Sequence, residues 1–147
     1  MATIEAAREY DASPESIWRQ LLAVEQWPEW SPLFQHAAFA TPELGLSGPW
    51  RLHGLLGRIP YNGSFTLIEH LALKRLAFES TTISPPYDWV IHDVRLTRAG
   101  RPTLTWRIDY AMSGGPGGLL VDRLLIRRQS RELLERQLYV LSPCVSS

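Results

Sequence analysis

The chain has 147 residues, a length that fits one domain with its own hydrophobic core, and its composition is ordinary for a globular protein. It carries 15 basic and 15 acidic residues, and this zero net charge argues against nucleic acid as the main partner, because phosphate binding needs a basic excess or a basic face. Six tryptophans are many for this length, and they suit a pocket wall as well as a core because each combines a large apolar area with one N–H. We expect a single domain over 1–147, with 142–147 as a frayed tail.

Cysteine content and hydropathy indicate the setting in which the protein works. A single cysteine, Cys144, excludes a disulfide within the chain and a cysteine-based metal site. The first residues, MATIEAAREYD, mix charges with apolar residues, and no run approaches the roughly 18 apolar residues of a transmembrane helix. We therefore expect a soluble protein of the reducing cytoplasm, with no membrane span.

The first part of the chain predicts a strand followed by two helices. Residues 3–10 alternate in polarity as a strand does. Ser13-Pro14-Glu15 supplies an N-cap, a proline suited to the first helical turn and an acidic residue for the positive end of the helix dipole. The two prolines of the following Trp-Pro-Glu-Trp-Ser-Pro segment limit 26–31 to a short second helix.

About eighty residues of strand-like sequence follow, punctuated by glycine and proline. The predicted strands are at about 33–40, 49–56, 61–71, 75–83, 88–97 and 102–112. The last two show a clear alternation, with one face made of Val90, His92, Val94 and Leu96 and of Leu104, Trp106, Ile108 and Tyr110. One apolar face and one solvated face are typical of an antiparallel sheet that is covered on one side.

A glycine-rich hinge at 114–118 precedes one long helix, predicted over about 118–141. Its apolar stripe comprises Ile126, Leu133, Leu134, Leu138 and Leu141, and the opposite, solvated face comprises Arg128, Glu132, Glu135 and Arg136. Extending the stripe by helical steps brings Arg123, Ser130 and Gln137 near the inward side. These three positions are polar where a plain core helix would carry leucine.

This order of parts resembles the START-like (SRPBCC, helix-grip) superfamily and, within it, the polyketide cyclase/dehydrase and lipid-transport family. The matching segments are 12–18, 24–32, 63–69, 75–78, 104–110 and 114–124, so the resemblance covers nearly the whole chain. It implies an α+β helix-grip fold, in which a curved antiparallel sheet of about six or seven strands wraps around a long C-terminal helix. It also implies an internal cavity that takes a hydrophobic small molecule, as in polyketide cyclases and dehydratases or in quinone and lipid carriers.

Three residues are candidates for chemistry in such a cavity. His92 lies on the apolar face of its strand, where it is either a general acid–base group, an anchor for a ligand carbonyl, or a core histidine satisfied by a neighbour. Arg123 and Tyr110 are candidates for stabilising an enolate oxygen. The alternatives are a solvated arginine head above an apolar stem and a tyrosine that only packs in the core.

A second set of residues is predicted to contact the ligand without reacting with it. Trp27 and Trp30 flank the proline turn that the family places beside the cavity, although packing against the first helix explains them equally well. The alternation does not assign a face to Arg51, His53 or His70, whereas Glu79 is better explained as outward and solvated. The predicted ligand contacts are Trp27, Trp30, Arg51, His53, Tyr61, Trp106, Ile126 and Ser130.

No metal site, cofactor or hydrolytic site is predicted. No histidine pair has metal-ligand spacing, there is no G-x-S-x-G motif, and the glycine-rich hinge lacks the Lys-Ser/Thr of a phosphate loop. The leading hypothesis is a cavity that binds a polyketide-like or polycyclic molecule and promotes its cyclisation or dehydration by acid–base catalysis. The alternatives are a lipid or quinone carrier and a protein-interaction module, in which Leu120, Leu124 and Leu125 form an exposed patch or a homodimer contact. The sequence leaves open whether the chain is a monomer or a homodimer.

Overall fold

The computed structural model describes residues 2–56, 59–98, 100–112 and 127–146. In chain order the elements are β1 (Ala2–Glu9), α1 (Pro14–Leu22), α2 (Trp27–Trp30), β2 (Phe34–Phe39), β3 (Trp50–Leu56), β4 (Ile59–Leu71), β5 (Arg75–Ile83), β6 (Tyr87–Thr97), β7 (Thr103–Met112) and α3 (Arg127–Ser146). The strands form one antiparallel sheet in the order β1-β7-β6-β5-β4-β3-β2. The predicted strands and the two short helices are therefore confirmed, with ends within two residues of the expected positions.

Helix α1 begins where its capping residue predicts. The Ser13 hydroxyl accepts a hydrogen bond from the backbone N–H of Ser16 at 3.1 Å, which satisfies one of the donors that the first turn leaves free. Ile17, Trp18 and Leu21 give the helix its buried face. A single turn of 3-10 helix then leads into α2, and this turn and α2 pack beside β2.

The sheet buries one face, as the alternation predicts. All eight residues assigned to that face of β6 and β7 are buried, including His92 and Trp106. Aromatic rings fill the middle of this core. The ring of Trp27 lies 4.9 Å from Phe34, 5.7 Å from Phe78 and 5.9 Å from Trp106, centroid to centroid, in the tilted and edge-on arrangements that aromatic pairs prefer.

Helix α3 packs against β1, α1, α2 and β3. The Tyr10 hydroxyl, just past the end of β1, donates to the backbone carbonyl of Leu138 at 2.7 Å and ties the helix to the sheet. The buried side of the helix comprises Ser130, Leu134, Gln137, Leu138 and Leu141, while Leu133 is half-buried and the four predicted solvated residues are exposed. The inward position predicted for Ser130 and Gln137 is therefore confirmed.

The helix continues to Ser146, five residues beyond its predicted end. The glycine-rich hinge, Arg123 and Ile126 lie outside the described residues. None of the helices in the described ranges combines the length and the apolar character that a membrane span requires.

Candidate functional site

The buried histidine of β6 lies among aromatic rings. His92 is 1% exposed, and its ring stacks on Phe78 with centroids 4.7 Å apart and only 10° between the ring planes. Phe34 approaches it at 5.4 Å and Phe65 at 6.2 Å. A polar ring in such an apolar environment needs hydrogen-bond partners, because an unsatisfied buried polar group is costly.

Both ring nitrogens of His92 have partners. The indole N–H of Trp106 donates to Nδ1 at 3.0 Å. Because an indole nitrogen can only donate, Nδ1 carries no proton and the proton of the neutral ring is on Nε2. Nε2 lies 3.4 Å from the hydroxyl oxygen of Tyr61, so Nε2–H donates to that oxygen. The Tyr61 hydroxyl proton is thereby directed towards some other acceptor.

Burial keeps this pair neutral. It lowers the pKa of His92 from 6.5 to about 3, because the charged imidazolium would lose its hydration. Burial also raises the pKa of Tyr61, with a smaller contribution from Tyr87. A histidine that is neutral near pH 7 and has both nitrogens engaged is suited to orienting Tyr61, and the proton transfer expected of His92 stays a prediction.

Tyr61 owes its position to a glycine on the neighbouring strand. Gly54 is directly opposite Tyr61 in the β3–β4 register, and a Cβ atom at Gly54 would lie only 2.4 Å from the Tyr61 hydroxyl oxygen. The Tyr61 ring is therefore laid across β3, with Phe65 at 5.9 Å and Tyr87 at 5.8 Å around it. Sequence reasoning missed Gly54; the available signal was a glycine inside a strand, which often marks such a close approach.

A second buried polar group joins α2 to α3. The Ser31 hydroxyl oxygen accepts hydrogen bonds from the backbone N–H of Leu33 at 3.1 Å and of Phe34 at 3.3 Å, and its proton goes to Oε1 of Gln137. Since both lone pairs of the hydroxyl are used, Ser31 must donate, and this determines which end of the Gln137 amide faces it. Sequence reasoning placed Gln137 on the inward side of the helix, and it missed Ser31.

Among the residues that the structure describes, several buried donors lack a hydrogen-bond partner. On the inward side of α3 these are Oγ of Ser130 and Nε2 of Gln137, and on α2 it is the indole nitrogen of Trp30. Nε of Arg8 and the indole nitrogen of Trp18 are also buried without a partner. Buried donors without partners are uncommon in folded proteins, and each needs a physical explanation, such as a ligand or a water molecule that satisfies it.

Two of the predicted ligand contacts do not face the core. Arg51 and His53 are exposed and alternate along β3 with the buried Trp50 and Leu52. The prediction of ligand contact at Arg51 and His53 is therefore corrected: they lie on the outer face of the sheet. The His53 ring packs edge-on against His36 of the neighbouring strand, with ring centroids 5.3 Å apart.

The other predicted aromatic residues are buried. The indole N–H of Trp27 donates to the carbonyl of Leu21 at 3.0 Å, and that of Trp106 is used by His92, so the polar groups of both tryptophans are engaged within the protein. Tyr110 is fully buried on β7, with its ring 6.4 Å from that of Tyr87. The roles predicted for Arg123 and Ile126 concern positions outside the described residues and stay predictions.

The outer face of the sheet carries charged residues. Glu79 is exposed, as expected. His70 is exposed too, but it pairs with the buried Leu76 and its ring stacks on Trp18 of α1, with centroids 6.1 Å apart, so it lies on the helix side of the sheet. Asp93 accepts two hydrogen bonds of 3.0 Å from Arg75 and forms an ion pair of 3.3 Å with Arg95. Burial alone would raise the pKa of Asp93, but the hydrogen bonds and positive charges of the two arginines outweigh it and lower the pKa. This cluster stabilises the sheet on the side away from the core.

A groove of about 670 Å³ lies between β1 and α3. Its helix side carries the ion pairs Arg128–Glu132, at 3.7 Å, and Arg131–Glu135, at 3.4 Å. A charged and solvated lining does not suit an apolar ligand, so the buried polar groups remain the better candidate site. The described ranges contain no cluster of three or more histidine, cysteine or acidic residues that could hold a metal ion.

Solved structures share this architecture. A START superfamily protein from Mycobacterium smegmatis is 15% identical with a TM-score of 0.78, over 98% of this chain and 97% of that one. A protein from Thermus thermophilus is 17% identical with a TM-score of 0.81, over 99% of this chain and 97% of that one. The di-domain ARO/CYC BexL of the BE-7585A biosynthetic pathway is 18% identical with a TM-score of 0.72, over 99% of this chain and 47% of that one. These likenesses confirm the START-like, helix-grip fold.

The sequence itself points to one family. No curated protein matches this chain significantly. The family described as polyketide cyclase / dehydrase and lipid transport, however, matches it over residues 1–141. A match of that extent takes in every strand, both short helices and the buried face of α3. The chain therefore belongs to the polyketide cyclase/dehydrase and lipid-transport family.

Proposed function

We propose that this protein binds a hydrophobic, polyketide-like or polycyclic small molecule between the sheet and α3. The observation that carries the proposal is the chain of hydrogen bonds from Trp106 through His92 to Tyr61, which leaves the Tyr61 hydroxyl as a donor among apolar rings. Binding sites for small molecules are mostly apolar with a few well-placed polar groups, and a ligand carbonyl oxygen suits this donor. Family membership and the likeness to an ARO/CYC protein support the ligand class.

We further propose that binding promotes cyclisation or dehydration of the ligand. The Tyr61 hydroxyl would donate to a carbonyl oxygen and draw electron density from the carbonyl carbon. An enol carbon of the same folded molecule would then attack that carbon, so that a C–C bond forms as the carbonyl π bond breaks; the carbonyl oxygen takes the Tyr61 proton, and the enol O–H gives its proton back to the Tyr61 oxygen. Loss of the new hydroxyl together with a proton from the neighbouring carbon, as water, would complete the reaction. As negative charge develops on the Tyr61 oxygen, the Nε2–H of His92 would stabilise it.

In this scheme His92 is a positioning residue and keeps one protonation state throughout. Tyr110 and Arg123 retain their predicted role of stabilising an enolate oxygen. The partner is a small hydrophobic molecule, and the chemistry needs no cofactor because each proton moves between the ligand and protein groups.

A carrier without chemistry is the second candidate, and the pKa values favour it. A group exchanges protons efficiently when its pKa lies near the working pH. His92, with a pKa of about 3, and Tyr61, whose pKa is raised by burial, both fall far from neutrality. A neutral donor of this kind orients the carbonyl of a quinone or lipid equally well. The interaction module depends on Leu120, Leu124 and Leu125, which lie outside the described residues.

Native mass spectrometry of the purified protein, followed by denaturing extraction, tests the binding proposal. We expect an apolar molecule to co-purify. Absence of any bound molecule, together with no binding of added anthracene, would contradict the proposal.

The same ligand then separates the enzyme from the carrier. The open-chain or hydrated precursor of the co-purified molecule is incubated with wild type, with Tyr61→Phe and with Tyr139→Phe, a control at a position that is 61% exposed. An enzyme releases a product lighter by one water from wild type and from the control but not from Tyr61→Phe, although all three bind. A precursor that stays bound and unchanged supports the carrier.

A further inference from the structure

The buried side of α3 presents two hydrogen-bonding groups at a defined separation. Within the part of the chain that the structure describes, Oγ of Ser130 and Nε2 of Gln137 are both buried and lack a partner. Because the two residues are two helical turns apart, they lie on the same side of the helix at a separation of roughly 10 Å along its axis. The fully buried side chain of Leu134 lies between them on that side.

Both of these polar groups, Oγ of Ser130 and Nε2 of Gln137, can donate a hydrogen bond to a ligand. Ser31 uses both of its lone pairs on backbone N–H groups and gives its proton to Oε1 of Gln137, so the far end of the amide can only donate. The Ser130 hydroxyl also has a proton to donate. Both ends therefore match an acceptor oxygen, and the apolar middle matches a hydrocarbon body.

We propose that Ser130 and Gln137 select an elongated ligand with acceptor oxygens near both ends of an apolar body, roughly 10 Å apart. This inference rests on the proposed function, because it assigns the shape and polarity of the molecule bound beneath α3. A molecule that lacks the terminal oxygens leaves both donors buried and unsatisfied, and such mismatches reduce affinity more strongly than lost apolar contact does. Ser31 acts in this selection as a positioning residue for Gln137.

Three flat tricyclic probes test the inference. Anthracene has no oxygen, 9,10-anthraquinone has oxygens only on its short axis, and 2,6-dihydroxyanthraquinone adds oxygens at the ends of its long axis. Quenching of tryptophan fluorescence gives the Kd of each. We expect wild type to bind 2,6-dihydroxyanthraquinone about tenfold more tightly than 9,10-anthraquinone, because two buried donors gain partners.

Variants assign that preference to the two residues. Gln137→Met keeps the length of the side chain and removes the donor, and Ser130→Ala removes the other donor with little change in volume. Each should weaken binding of 2,6-dihydroxyanthraquinone by about tenfold and change binding of anthracene by less than about twofold. Arg136→Gln, at an exposed position of the same helix, is the control and should change neither.

The outcomes distinguish this inference from the proposed function. If wild type binds all three probes equally, or if Gln137→Met weakens all three equally, the inference is overturned while an apolar binding site remains. If no probe binds to wild type, both proposals are overturned. Circular dichroism checks the folding of each variant, and Ser130→Ala carries the test if Gln137→Met does not fold.

Discussion

The indole nitrogen of Trp106 lies 3.0 Å from Nδ1 of His92, and this one contact decides which nitrogen of the histidine carries its proton. The two residues are diagonal neighbours on β6 and β7, since Trp106 is paired with Val94 and His92 with Ile108. Through Nε2 the same ring reaches Tyr61 on β4. The indole N–H on β7 thus orients, through His92 on β6, the Tyr61 hydroxyl on β4.

The burial of His92 predicts a loss of stability in mild acid. The pKa is 6.5 in the unfolded chain and about 3 in the folded protein, so the unfolded state takes up the proton first as the pH falls. The contribution of His92 to the free energy of unfolding is therefore complete above pH 6.5 and declines as the pH falls towards 3. Urea denaturation at several pH values across this window should show the decline.

His92→Asn is the matched variant for this measurement, because asparagine keeps an acceptor for the Trp106 indole and does not titrate. As the pH falls, the free energy of unfolding of this variant should decrease less steeply than that of wild type. The two slopes should differ by up to about 1.4 kcal/mol per pH unit. Equal slopes for the two proteins would show that His92 is not protonated preferentially in the unfolded state.

Gly54→Ala should displace Tyr61 from His92. The added Cβ would lie 2.4 Å from the Tyr61 hydroxyl oxygen, so the ring must move or the strand must shift. We expect a loss of about 2 kcal/mol or more, as in other overpacked cores. In a Tyr61→Ala background the same substitution should cost little, and a double-mutant cycle measures the difference. If Gly54→Ala lowers the free energy of unfolding equally in both backgrounds, glycine is required by the backbone of β3 and not by the Tyr61 ring.

Asp93→Asn should weaken the charged cluster on the outer face of the sheet. The Asp93 side chain is only 14% exposed, whereas Arg75 is partly solvated, so we expect a moderate loss of about 1–2 kcal/mol near neutral pH. Since the pKa of Asp93 is lowered from 3.8, its stabilisation is present above that pH and is lost as the pH falls below it.

The difference between wild type and Asp93→Asn should therefore shrink at the acid end of a pH series of urea denaturations. Asp109→Asn is the control, because its ion-pair partner, Arg107, is 46% exposed and the pair is worth less. An effect of Asp93→Asn no larger than that of Asp109→Asn would contradict the prediction.

Tyr10→Phe should loosen the attachment of α3. The substitution removes the hydroxyl that donates to the Leu138 carbonyl at 2.7 Å and keeps the buried ring, so we expect a loss of about 1 kcal/mol. Hydrogen exchange of the α3 amides should accelerate as well. Tyr139→Phe removes an exposed hydroxyl from the same region and serves as the reference. Indistinguishable behaviour of the two variants would mean that the Tyr10 hydrogen bond contributes nothing.

Short-range sequence patterns predicted the buried faces of two strands and the start of one helix. The period of two along β6 and β7 places His92 and Trp106 on the buried face, and the N-cap at Ser13 marks the start of α1, because both features depend only on neighbouring residues. The same logic did not assign Arg51 and His53, since only the four residues from Trp50 to His53 alternate in polarity before Gly54 and two leucines interrupt the pattern. Their outward orientation emerges only when β3 is paired with β4.

The pairs that make up the candidate site depended on the tertiary structure. Ser31 and Gln137 are 106 residues apart in the chain, and Tyr61 and His92 are 31 apart. Their contacts require the packing of α3 on α2 and the curvature that brings β4 and β6 together across β5, which no local periodicity specifies. The sequence alone therefore determined which faces of β6, β7 and α3 are buried. Only the folded chain decided which buried polar groups satisfy one another and which remain available to a ligand, because that depends on the distances between elements remote in sequence.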